Sequence, residues 1–145
     1  MFVSSSILFF TEPSLPINIE RECPIGTVLI GDEAHQLKSS QAIKTNKFRA
    51  LSEVIRKRTG RVWLLTATPL LNHPPELWNV FQAAGIAQEA FGSWKGFVSM
   101  FDGIDGAYGG TVWGKPKPEV ADRIRRVTLR RMREDVLSDL PKKAW

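Results

Sequence analysis

Thr27-Val28-Leu29-Ile30-Gly31-Asp32-Glu33-Ala34-His35 decides the fold. Thr27 to Ile30 is a short β-branched and aliphatic run broken by nothing polar, the pattern of a strand buried on both faces of a parallel sheet. It runs straight into two carboxylates. Downstream, Asn46 to Arg58 sets Phe48, Leu51, Val54 and Ile55 at helical spacing, and Gly60 stands where that helix would stop. Arg61-Val62-Trp63-Leu64-Leu65-Thr66 follows as a second candidate for a buried strand. Strand, helix and strand make a βαβ unit, so the chain is expected to be α/β with a parallel sheet. Two strands alone would leave one edge of that sheet open.

Working outward, residues 1–26 are punctuated by Pro13, Pro16 and Pro24 and read as an irregular lead-in to the core at 27–85. Pro74-Pro75-Glu76 opens a helix with proline in its first turn and an acid at its positive end, and Leu77, Val80, Phe81 and Ala84 line one face before Gly85. The third segment, 86–145, starts with a stretch rich in glycine and aromatics (91–118) that reads as an insertion with a loop-rich centre. A helix resumes at Glu119 to Arg126 with Val120, Ile124 and Val127 in register, which would put Arg123, Arg126 and Arg130 together on the other side. Glu134 to Leu140 reads as a last short helix stopped by Pro141.

At 145 residues, 43% hydrophobic and 24% charged, the composition is that of one globular core, neither disordered nor membranous. The apolar run Ile7-Leu8-Phe9-Phe10 is far shorter than the roughly 20 residues that span a bilayer. No Lys or Arg precedes it, so no secretory leader is read and an intracellular chain is expected. The lone Cys23 excludes an internal disulfide framework and a Cys-rich zinc site. Net charge is +5, and its placement is uneven. Gln36 to Arg61 holds eight basic residues and one acid, and Arg123 to Arg133 holds six arginines and no acid. These zones are either solvated helix faces or a footprint for a phosphate backbone.

The chemistry belongs at the strand ends, where open α/β sheets bind ligands. An aspartate leaving a buried strand beside a nucleotide can hold Mg²⁺ through water, and an adjacent glutamate can orient and deprotonate an attacking water. The plainer reading of Asp32 and Glu33 is a solvated acidic turn. Thr66-Ala67-Thr68-Pro69 favours the first, because it ends the second strand 34 residues beyond Asp32 and one crossover helix away.

Asp32-Glu33-Ala34-His35 resembles the DEAH form of the Walker B motif in superfamily-two helicases, and Leu65-Thr66-Ala67-Thr68-Pro69 resembles their motif III. Leu70-Leu71-Asn72-His73-Pro74-Pro75-Glu76-Leu77-Trp78 is similar to the segment after motif III in Swi/Snf-type DNA translocases. Leu129-Arg130-Arg131-Met132-Arg133-Glu134-Asp135-Val136, with Leu140-Pro141-Lys142-Lys143, resembles another signature of that family. The resemblance covers about residues 25–143 and is nearest to the annealing-helicase branch.

It implies a partial RecA-like (P-loop NTPase) parallel sheet with flanking helices and a C-terminal helical insertion, acting with ATP and Mg²⁺ on double-stranded or branched DNA. Asp32 would hold Mg²⁺ through water and Glu33 would activate the attacking water, while His35, Thr66 and Thr68 would couple that site to DNA. Lys38 and Lys44 are candidate phosphate contacts; Arg130 and Arg131 are candidates for DNA or for docking a second lobe. The location implied is cytoplasmic for a prokaryotic or viral source and nuclear for a eukaryotic one, without a membrane. Gly31 and Ala67 depart from the family, which often has aspartate or another residue at the first and usually has glycine at the second. The 31 residues before Asp32 contain no P-loop. Gly109 to Pro116 has P-loop lettering, but no strand precedes it and Pro116 replaces the Mg²⁺-ligating hydroxyl. The chain is therefore expected to be a fragment, lacking a P-loop segment and a second RecA-like lobe and unable to hydrolyse ATP alone. A non-catalytic nucleic-acid-binding module and a fragment of a DEAH-type RNA helicase are the alternatives.

Overall fold

Val28–Gly31 (β2) is the middle strand of a three-stranded parallel sheet, between Ile7–Phe10 (β1) and Arg61–Leu64 (β3). The computed structural model describes residues 7–10, 23–67 and 73–131. Pairing is in continuous register: Ile7 lies opposite Val28, Val28 opposite Arg61, and Gly31 opposite Leu64. β1 corrects the reading of residues 1–26 as irregular. Its four apolar residues are too few to show a period, and pairing with β2 gives them their strand state. With β1 present both edges of β2 are filled, so the expected open edge moves outward to β1 and β3 among the described residues.

The crossover helix, Ile43–Lys57 (α1), begins three residues earlier than its apolar pattern and buries Phe48, Leu51 and Ile55 almost completely. Each such side chain is worth about 1.5–3 kcal/mol of burial. Two glycines let α1 lie this close to the sheet. A Cβ on Gly60 would stand 2.4 Å from the Thr27 carbonyl oxygen, and one on Gly31 would stand 2.9 Å from both Leu64 Cδ2 and Phe48 Cε2. β3 departs from the expectation of a strand buried on both faces. Val62 and Leu64 pack on the core, but Arg61, Trp63 and Leu65 are exposed, because no described residue covers that face.

Pro74–Ala84 (α2) forms where the sequence places it and ends at Gly85, whose φ of 74° is the left-handed geometry of a helix stop. Arg56 reaches over from α1 to donate to the carbonyls of Ala84, at 3.2 Å, and Gly85, a cation at the negative end of α2. Ala87–Phe91 (α3) leads into the stretch read as an insertion with a loop-rich centre, which opens with the helix Trp94–Met100 (α4) and whose centre is ordered into a small hairpin of Ile104–Asp105 (β4) and Thr111–Val112 (β5). The aromatics of that stretch supply a core: Phe97 packs against Phe91 at 4.9 Å and Phe101 at 4.5 Å between ring centroids, and Trp78 of α2 joins at 5.2 Å. Gly109 and Gly110, both at positive φ, lie in the turn of the hairpin, so the P-loop lettering there builds no P-loop. Glu119–Val127 (α5) stops at Thr128, which is extended at φ −129° and ψ 145°. Arg130 is therefore off the helix and does not share a face with Arg123 and Arg126. The helix expected at Glu134 to Leu140 lies outside the described residues. No helix among the described residues is long and apolar enough to cross a membrane.

Candidate functional site

The site is built on the carboxyl ends of β2 and β3. At Glu33 the chain leaves β2 through a left-handed residue (φ 51°, ψ 48°) and enters a 3₁₀ turn, Ala34–Leu37, that buries Ala34 and Leu37. Two backbone bonds fix this exit. Leu65 N–H donates to the Gly31 carbonyl at 2.8 Å, and Ala34 N–H donates to the Leu65 carbonyl at 2.9 Å. The acidic turn and the end of β3 are thus joined through one residue, immediately before Thr66. The Glu33 N–H donates to Asp32 Oδ1 at 2.8 Å, which orients the aspartate; both carboxylates are exposed. His35 Nδ1 lies 3.2 Å from Glu33 Oε2, although no hydrogen bond is formed. Asp32, Glu33, His35 and Thr66 therefore gather at one end of the sheet. Thr68 lies outside the described residues.

A second layer, not read from the sequence, holds the turn from the side of α2. Asn79 Nδ2 donates to the Lys38 carbonyl at 2.8 Å, and Glu76 Oε1 lies 3.4 Å from Lys38 Nζ. Leu77 and Trp78, between these two, are buried in the core. The Glu-Leu-Trp-Asn run therefore carries alternate duties: two polar residues grip the turn and two apolar ones anchor the helix. In the sequence Glu76 is an acid at a helix start; its pairing with Lys38 depends on α2 packing beside the turn.

The donor set around Asp32 and Glu33 suits Mg²⁺ bound to a nucleotide and does not suit a protein-caged metal. Among the described residues no three His, Cys, Asp or Glu side chains cluster as ligands. Magnesium commonly takes one or two carboxylates, with water and phosphate oxygens completing its shell, and an oriented, exposed Asp32 fits that demand.

The nucleic-acid candidates fall in two places. Lys38 and Lys44 flank the site, Lys38 paired with Glu76 and Lys44 donating to Gln36 Oε1. Arg130 and Arg131 are exposed in the extended chain beyond α5, away from the turn in sequence and not joined to it by any described contact.

Fold and site together define a mixed α/β domain with a small parallel sheet and flanking helices, its polar residues gathered where the strands end. The sequence matches the SNF2-related domain family over residues 18–145, and the chain belongs to that family. It is 34% identical over 118 residues to the SWI/SNF-related matrix-associated actin-dependent regulator of chromatin subfamily A-like protein 1 homolog of Caenorhabditis elegans, covering 79% of this chain and 16% of that protein. It is 30% identical over 122 residues to the DNA annealing helicase and endonuclease ZRANB3 of Bos taurus, covering 80% of this chain and 11% of that protein. A shorter match, 44% over 54 residues, is to the putative helicase 009L of Frog virus 3, covering 37% of this chain and 6% of that protein. The chain thus spans less than a fifth of the length of these relatives. No solved structure matches it.

Proposed function

We propose that these residues form the acidic half of the ATPase site of an ATP-dependent DNA translocase, the half that joins the DEAH turn to motif III. The observation that carries the reading is the double backbone tie through Leu65, which locks the Asp32–Glu33 turn to the strand end bearing Thr66. Membership of the SNF2-related family and similarity to a DNA annealing helicase support duplex or branched DNA as the partner over the RNA of a DEAH-type RNA helicase.

Bound with ATP, Mg²⁺ supplies neutralisation of phosphate charge, and Asp32 is the residue that would hold it through water. Glu33 orients a water and accepts its proton, with His35 beside the carboxylate. His35, Thr66 and Thr68 couple the occupied site to DNA. Lys38 and Lys44 contact the phosphate backbone, which attracts without reading sequence. Because Lys38 is also held by Glu76, DNA contact there would be felt by α2. Arg130 and Arg131 serve docking of a second RecA-like lobe.

The 145 residues carry no P-loop, so the chain by itself positions water against nothing and is inactive. The test is DNA-stimulated ATP hydrolysis by the purified chain, with none expected. Turnover that Glu33→Gln abolishes would overturn the fragment reading. The same missing P-loop is the one feature favouring a non-catalytic nucleic-acid-binding module. That reading gains if a chain completed with a P-loop and second lobe never hydrolyses ATP and keeps full DNA affinity after Asp32→Asn and Glu33→Gln.

A further inference from the structure

Lys38 is held twice from the same side of α2. Asn79, three residues after Glu76 and next to it on the helix surface, donates through Nδ2 to the Lys38 carbonyl at 2.8 Å, while Glu76 Oε1 lies 3.4 Å from the Lys38 ammonium. The two holds differ in kind. The first fixes the backbone at the end of the 3₁₀ turn, where Lys38 keeps helical angles (φ −67°, ψ −24°). The second is longer than the roughly 2.7–2.9 Å of a charge-assisted hydrogen bond, so it is a charge contact that the ammonium can leave. The two partners also differ in freedom. Lys38 is half-exposed on a flexible four-carbon stem, whereas the Glu76 side chain is only 21% exposed and sits in the first turn of α2, directly before the buried Leu77 and Trp78. Glu76 Oε2 is buried without a hydrogen-bond partner, and among the described residues Lys38 is the only cation within ion-pair distance of that carboxylate.

We propose that Glu76 restrains Lys38 from DNA: the pair is closed in the free protein and opens when a backbone phosphate takes the ammonium, while Asn79 keeps the turn in place. A duplex presents one negative charge about every 1.7 Å of its axis, enough to draw the mobile partner off a single carboxylate that cannot follow it. Glu76 is then left partly buried and facing no cation, so opening the pair offsets part of the attraction to phosphate. As a phosphate contact Lys38 belongs to the proposed function above, on which this restraint rests. Glu76 adds what opposes that contact, and it makes the strength of DNA binding at the acidic turn depend on α2.

The test is fluorescence anisotropy of a labelled duplex of about 20 base pairs against the full chain, from about 50 mM salt upward. Glu76→Gln, which keeps the size of the side chain, should tighten duplex binding roughly 2- to 5-fold and leave the salt slope unchanged, since the same phosphates are neutralised. Lys38→Ala should weaken binding and lower the slope by about 0.9. In the Lys38→Ala background Glu76→Gln should have no measurable effect, because its action runs through Lys38. Asn79→Ala loosens the same turn without freeing the ammonium and should not tighten binding, which separates release of Lys38 from general loosening. A Glu76→Gln gain that persists without Lys38 is plain repulsion between a carboxylate and DNA and overturns the restraint. So does a Glu76→Gln variant that binds no more tightly than the wild type while Lys38→Ala still lowers the slope; in both cases the proposed function stands. A chain that binds no duplex, or in which Lys38→Ala changes neither affinity nor slope, removes the phosphate contact itself and the restraint with it.

Discussion

Replacing Gly31 with alanine tests how tightly the crossover helix is seated on the strand that delivers Asp32. The added Cβ would lie 2.9 Å from Leu64 Cδ2, 2.9 Å from Phe48 Cε2 and 3.0 Å from Phe48 Cζ. Carbon atoms rest comfortably at about 3.5–4.0 Å, so three contacts would each be too short by about half an ångström or more. Phe48 is fully buried and cannot swing into solvent to relieve them. Overpacking of this kind costs about 1–3 kcal/mol, and Gly31→Asp should cost more because it adds a buried charge as well. The assay is equilibrium unfolding in urea followed by far-UV circular dichroism. Phe48→Leu removes the ring edge that the new methyl meets, so the double variant should be less destabilised than the sum of the singles by about 1 kcal/mol. An alanine tolerated to within about 0.3 kcal/mol, or a double variant that is simply additive, would refute the packing argument.

Three further outcomes are expected. Asn79→Ala should cost about 0.5–1.5 kcal/mol by releasing the Lys38 carbonyl, and hydrogen exchange should rise over residues 34–38 before it rises in α1. Phe97→Ala, at the centre of the aromatic cluster and fully buried, should cost about 3–5 kcal/mol, read as a lowered urea midpoint. The hydrogen bond from Lys57, and next its charge, hold the Glu53 carboxyl below its ordinary 4.5. A folded-state pKa lowered in this way stabilises above the ordinary value and is lost as pH falls through the folded one, so the wild type should exceed Glu53→Gln near neutral pH and lose that advantage as acid protonates the folded carboxyl below 4.5. The pair is exposed, so about 1 M salt should erase the difference at neutral pH too.

How much could be read from the letters depended on whether the deciding interaction was local. The period of α1 and the proline start and glycine stop of α2 are properties of neighbouring residues, and both helices form within a few residues of where the sequence places them. β1 is four apolar residues whose strand state depends on β2, so no local pattern marked it. The aromatics of 91–118 were visible as a composition, but only their mutual packing turns that stretch into a helix and a hairpin. Asp32, Glu33, His35 and Thr66 were legible because a strand end, a crossover and a second strand end bring them together by topology alone. The grip of Glu76 and Asn79 on Lys38 was not, since it joins residues about forty positions apart by the packing of α2 on the turn.

The central claim is that Glu33, on a turn fixed to the strand before Thr66, activates the water in an ATPase site completed by segments outside these residues. Its most direct test is single-turnover ATP hydrolysis on duplex DNA by the chain joined to the P-loop segment and second lobe of its annealing-helicase relative. The account predicts DNA-stimulated hydrolysis that Glu33→Gln lowers by a factor of about 100 or more while nucleotide affinity is retained. A joined enzyme that hydrolyses ATP equally well with glutamine at position 33 would contradict it.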